Sequence, residues 1–155
     1  MLWVKNPNIL FSCCVEDKIY IGQENPSSLD NPSWGGPKHF TGKELEKIVK
    51  NDIKGMNTGL FLFRKEMIYS FQKIDEYYMN NQNLLGDCLE QPYINAYLFK
   101  NNIYDWSCVT GKILENSYKT PPSDLGGHVV IHFHGGPGNS SAKYNSMSSF
   151  YNSFY

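Results

Sequence analysis

The run Val129-Val130-Ile131-His132-Phe133 empties into His134-Gly135-Gly136-Pro137-Gly138, and no other stretch limits the fold as tightly. β-Branched and aromatic residues favour a strand, and glycine then frees the backbone so that main-chain N–H groups approach a ligand closely. His132 and His134, two residues apart, share one strand face, and His128 lies four residues earlier on that face. Such a strand end suits an anion or a metal.

Strand and helix signals alternate along the rest of the chain, which predicts an α/β fold with a sheet and flanking helices. Ile9-Leu10-Phe11 behind Asn6-Pro7-Asn8 reads as a strand starting near Asn8. Residues 23–38, dense in Asn, Pro, Ser and Gly and holding Trp34, read as a long surface loop. Thr41 and Glu44 have the spacing of a capping box, so a helix should run to about Lys50. Gly55-Met56-Asn57-Thr58-Gly59 should break the chain before Leu60-Phe61-Leu62-Phe63, an apolar run expected as a strand buried on both faces. Met67, Ile68, Phe71, Ile74 and Tyr78 recur at helical spacing and predict a helix over 65–79. A second helix over 88–100 follows from Asp87 as cap, Pro92 in the opening turn, and the stripe Tyr93, Ala96, Tyr97.

Residues 103–106 and 112–114 read as short extended segments, 120–123 as a rigid connector, and 146–155 as a frayed or partly docked tail. The runs 60–63 and 129–131 are expected as neighbouring strands beside the 65–79 helix.

With 155 residues, 41% of them hydrophobic, the chain is expected to form a single domain around its own core. Fourteen basic against fifteen acidic residues leave a net charge of −1, too little for a field that draws nucleic acid or an anionic membrane. No apolar run reaches the roughly 18 residues of a membrane helix, and the N-terminus does not resemble a signal peptide, so a cytoplasmic protein is expected. Cys13, Cys14, Cys88 and Cys108 fit neither zinc-ligand nor disulfide spacing and read as reduced thiols.

Two enzyme classes carry loops like 134–138. His134-Gly135-Gly136-Pro137-Gly138 matches the oxyanion loop of proline-iminopeptidase-like α/β-hydrolases letter for letter. That loop serves a serine on a Gly-x-Ser-x-Gly elbow, and this chain contains no such elbow.

Three segments in order resemble nucleotide-sugar glycosyltransferases of GT-A fold, especially glycogenin-like enzymes and relatives from large DNA viruses. Asn57-Thr58-Gly59 with the following strand is similar to the turn that lies under the sugar donor. Glu90-Gln91, with Asn95 beyond, is similar to the acidic-Gln-x-x-x-Asn helix start whose acidic group faces the reacting sugar. His132-Phe133-His134-Gly135 looks like the strand end whose first histidine ligates manganese and whose glycine approaches the diphosphate.

The resemblance implies transfer of a sugar from a nucleotide-diphosphate donor to an acceptor hydroxyl. Glu90 and Gln91 would be catalytic; Asn57, Thr58, Gly59 and Gly135 would bind substrate, and His132 would hold Mn2+ or Mg2+. The family's lysine after the glycine is replaced by Gly138, so Lys143, the nearest basic residue, would bind the substrate's diphosphate in its place. The paired carboxylates of Asp-x-Asp, which grip the metal, are absent from this sequence. Asn6-Pro7-Asn8-Ile9-Leu10-Phe11 looks like the stretch that follows that motif. The chain is thus expected as a partial, truncated GT-A domain without the N-terminal nucleotide-binding β-α-β part. The alternative is a non-catalytic remnant that binds a sugar or a partner supplying the missing half.

Overall fold

The computed structural model describes residues 2–3, 5–12, 14, 17–31, 37–84, 90–116, 128–133, 144–145, 147–149 and 152. In chain order the elements are β1 (Leu2–Trp3), α1 (Asn8–Phe11), β2 (Ile19–Ser28), α2 (Gly42–Lys50), β3 (Lys54–Phe63), α3 (Ile68–Asn80), α4 (Gln91–Asn101), β4 (Tyr104–Asp105), β5 (Ile113–Asn116) and β6 (Val130–Phe133). They form a mixed α/β protein with two compact units, one from residues 1–13 and 108–155, the other from 14–107. No described helix is long and apolar enough to cross a membrane.

In the unit 14–107, three strands lie in the order β3-β2-β4, with β2 antiparallel to β3 and parallel to β4. α2 begins as its sequence demands. The Thr41 side chain accepts from the Glu44 backbone N–H while Glu44 Oε2 accepts from the Thr41 N–H at 2.7 Å, so two of the orphan donors at this helix start are satisfied. Lys47 and Lys50 in the last turn suit the negative end of the helix dipole. α4 ends at Asn102, whose N–H donates to the Leu98 and Phe99 carbonyls and whose left-handed backbone (φ 51°) turns the Ile103 N–H back to the Leu98 carbonyl at 3.2 Å.

Ile19, Ile21, Met56, Ile48, Ile74, Ala96, Leu98 and Phe99 form the buried core, so both sheet and helices contribute to it. The stripe expected over 65–79 is realised by buried Met67 and Ile74, with Phe71, Tyr77 and Tyr78 half-buried. Phe71 packs edge-on to Phe61 at 5.6 Å between centroids, which ties α3 to β3.

In the unit of 1–13 and 108–155, the sheet order is β1-β6-β5, with β6 antiparallel to β1 and parallel to β5. Val129 and Val130 are fully buried.

Four expectations change. Ile9-Leu10-Phe11 lies in the short helix α1 instead of a strand: Asn6 Oδ1 accepts from the Asn8 N–H at 3.0 Å, and the Asn6 and Pro7 carbonyls start the turn. The loop expected over 23–38 begins later, because β2 continues through Ser28 by pairing with β3. Leu60–Phe63 is the end of a strand that starts at Lys54, and its side chains are only partly buried apart from Leu62. This run and 129–131 belong to different sheets and do not pair, since each finds its hydrogen-bond partners among other strands. The connector 120–123, Trp34 and Asp87 lie outside the described residues.

Candidate functional site

β3 is interrupted where the Asn57-Thr58-Gly59 turn was expected. Ile21 pairs with Phe61 and the next residue of β2, Gly22, pairs with Asn57, so Thr58, Gly59 and Leu60 bulge out of the ladder. Asn57, only 5% exposed, stabilises the bulge by accepting from the Gly59 N–H at 2.8 Å through Oδ1. A break in the chain was anticipated here; it is accommodated within the strand.

Freed from the ladder, Thr58 turns its hydroxyl to α4 and donates to Gln91 Oε1 at 3.3 Å. Gln91 is the first residue of α4, with Glu90 at the cap position and Pro92 in the opening turn, where a missing N–H does no harm. The Gln91 amide nitrogen is buried with no hydrogen-bond partner among the described residues. Asn95, one turn further into α4, is fully buried.

Glu90 opens onto a cavity of about 280 Å³ between α3 and α4. Phe71, Ile74 and Tyr78 line it from α3, and Tyr93 and Ile94 from α4. Asp75 and Glu90 are its charged lining residues. Tyr78 and Tyr93 stand almost perpendicular, 78° apart with centroids at 4.9 Å, and the Tyr93 hydroxyl donates to the Asn81 carbonyl at 3.1 Å. Burial pushes the Tyr93 pKa above its usual value, the Tyr78 hydroxyl adding to the effect, so the ring remains a neutral donor.

His39, at the end of the single turn Pro37–His39 before α2, is buried, 4% exposed, with its ring against Tyr93 of α4. Neither ring nitrogen has a hydrogen-bond partner among the described residues. Burial, then Lys100 and Lys38, hold its pKa below the ordinary histidine value and keep the imidazole neutral.

The sequence candidates therefore divide. Asn57, Thr58, Gly59, Glu90 and Gln91 come together across β3 and α4, and of these Glu90 lines the cavity. His132 lies in β6 with its backbone opposite Glu115 and belongs to the other unit. Gly135, His134 and Lys143 fall outside the described residues. Among the described residues no three His, Cys, Asp or Glu side chains form a group able to hold a metal ion.

Asp75 and His39 have no motif around them. Asp75 sits one residue after buried Ile74 at the edge of the α3 stripe, and that edge position was its only available signal. No protein-family model, curated protein or solved structure matches this chain.

Proposed function

We propose that this chain is a glycosyltransferase-like domain of GT-A type that holds the sugar of a nucleotide-diphosphate donor in the cavity between α3 and α4, where Glu90 adjoins the junction of β3 and α4. The hydrogen bond between Thr58 and Gln91 carries the reading: two segments 33 residues apart, each resembling a sugar-side element of that family, are in contact. Aromatic walls suit the C–H faces of a sugar ring, and the Asp75 and Glu90 carboxylates among the lining residues can accept from its hydroxyls. At 280 Å³ the cavity is near the small end of the roughly 300–1,000 Å³ typical of ligand pockets, a size for one sugar unit.

In such a transfer the bond from the anomeric carbon to the diphosphate oxygen breaks, a bond to the acceptor oxygen forms, and the acceptor hydroxyl's proton passes to the departing diphosphate. The Glu90 carboxylate would offset positive charge developing at that carbon. Gln91, fixed by Thr58, would orient the helix start that presents Glu90. The resemblance assigns Mn2+ or Mg2+ to His132, which belongs to the other unit. The described residues supply no ligand set for it, and the sugar-side contacts stand without it.

The absent Asp-x-Asp favours a second reading, a sugar-binding module without turnover. Saturation-transfer NMR with monosaccharides, UDP-sugars and GDP-sugars tests the sugar site. Sugar ring protons should receive saturation and lose it in Glu90→Gln, while nucleoside protons should receive little, because no residue here matches the family's base pocket. Saturation confined to the nucleoside, or unchanged in Glu90→Gln, would remove the cavity beside Glu90 as the sugar site. Release of UDP or GDP in the presence of Mn2+ separates transferase from binding module.

A further inference from the structure

We infer that the cavity between α3 and α4 selects, among sugars, one that carries a free protonated amine; this rests on the sugar reading above and names its substrate class. Asp75 and Glu90 both line the cavity, and no lysine, arginine or histidine does so among the described residues. The cation nearest in sequence to Asp75 is committed elsewhere, with Lys73 Nζ at 2.8 Å from Glu76 Oε2. Neither Asp75 nor Glu90 enters an ion pair or side-chain hydrogen bond among the described residues. A neutral sugar covering these two carboxylates would strip water from both and return only hydroxyl hydrogen bonds. An ammonium group returns charge-assisted bonds to the carboxylates and meets the rings beside them.

The rings are arranged for this. Tyr78 and Tyr93 meet at 78°, forming a corner, and Phe71 adds another aromatic wall. The Tyr93 hydroxyl is tied to Asn81, and Phe71 is packed on Phe61 and Phe63, so the walls are held before any ligand arrives. The whole chain has a net charge of −1 and exerts no general pull on cations, so a preference for an amine would be local to this cavity.

Calorimetric titration of the full chain with glucosamine, glucose and N-acetylglucosamine at about pH 6, where an amine of ordinary pKa is protonated, decides the matter. The three share ring and size, and differ in charge or in the acetyl group. Glucosamine should bind about tenfold or more tightly than the other two, and Asp75→Asn and Glu90→Gln should each reduce that ratio. Both positions are exposed, and unchanged thermal unfolding of each variant confirms the fold. Equal affinity for glucosamine and glucose, with loss in Glu90→Gln, would overturn the amine preference and leave the sugar reading standing. No binding of any of the three would overturn both.

Discussion

The rings of His39 and Tyr93 stand 4.7 Å apart and nearly perpendicular, at 79°, so a histidine with neither nitrogen hydrogen-bonded among the described residues is wedged against the helix that carries the cavity. Lys100 on α4 and Lys38 beside it leave no favourable place for a proton on this ring. Tyr77 completes its surroundings at 6.3 Å.

Acid should therefore weaken the fold through His39. Its folded pKa lies below its ordinary value of 6.5, so between these values the unfolded chain binds the extra proton and the stability present above 6.5 is lost as pH falls. Thermal unfolding between pH 7 and 5 should show a falling midpoint, and His39→Phe should flatten that part of the curve. Parallel curves for wild type and variant would mean that the ring is solvated in the folded state.

Glu44 acts in a separate window. Burial alone would raise its pKa, but the Thr41 N–H and hydroxyl and the Lys100 ammonium at 3.4 Å outweigh that and hold it below the ordinary 4.5. Stability from this group is present above 4.5 and lost as pH falls below it. Thr41→Ala should destabilise the protein by about 1 kcal/mol at neutral pH in urea titration, the usual contribution of a helix cap. A change indistinguishable from zero would show that the exposed capping box adds nothing.

Thr58→Val tests the junction of β3 and α4. The substitution keeps the shape and removes the hydroxyl, leaving Gln91 Oε1 without the donor it has at 3.3 Å, and should lower stability by about 1 kcal/mol. Sugar saturation at the cavity should fall as well, since Glu90 precedes the loosened residue. Loss of stability with full retention of sugar contact would separate the hydrogen bond from the site.

The left-handed cap of α4 gives a further check. Asn102→Ala should destabilise by about 1 kcal/mol because alanine keeps the Cβ but loses the short polar side chain that eases asparagine into φ 51°, whereas Asn102→Gly, with no Cβ to strain, should match wild type to within about 0.5 kcal/mol. Paired urea titrations measure both, and equal losses would assign the effect to the Asn side chain instead of the backbone.

The sequence alone determined the features that depend on neighbours along the chain. Thr41 and Glu44 are three residues apart and cap α2 as their spacing requires; Met67 and Ile74 turn the α3 stripe inward; Pro92 opens α4; Val130 starts a strand. Periodicity and capping act within one or two turns, so they are legible before folding. Tertiary structure decided what pairs with what. β3 runs on through Gly55–Gly59 because β2 offers hydrogen-bond partners on both sides of the bulge, and that partner lies more than thirty residues away. The separation of 60–63 from 129–131 into two sheets has the same cause, since backbone donors pair with whichever strand the fold brings beside them. For the site, Asn57-Thr58-Gly59 and Glu90-Gln91 stood out as motifs, but their contact through Thr58 and the place of Asp75 opposite Glu90's helix emerge only when α3 packs against α4. A lone carboxylate at the edge of a helical stripe looks like any solvated residue until the facing helix gives it a cavity to line.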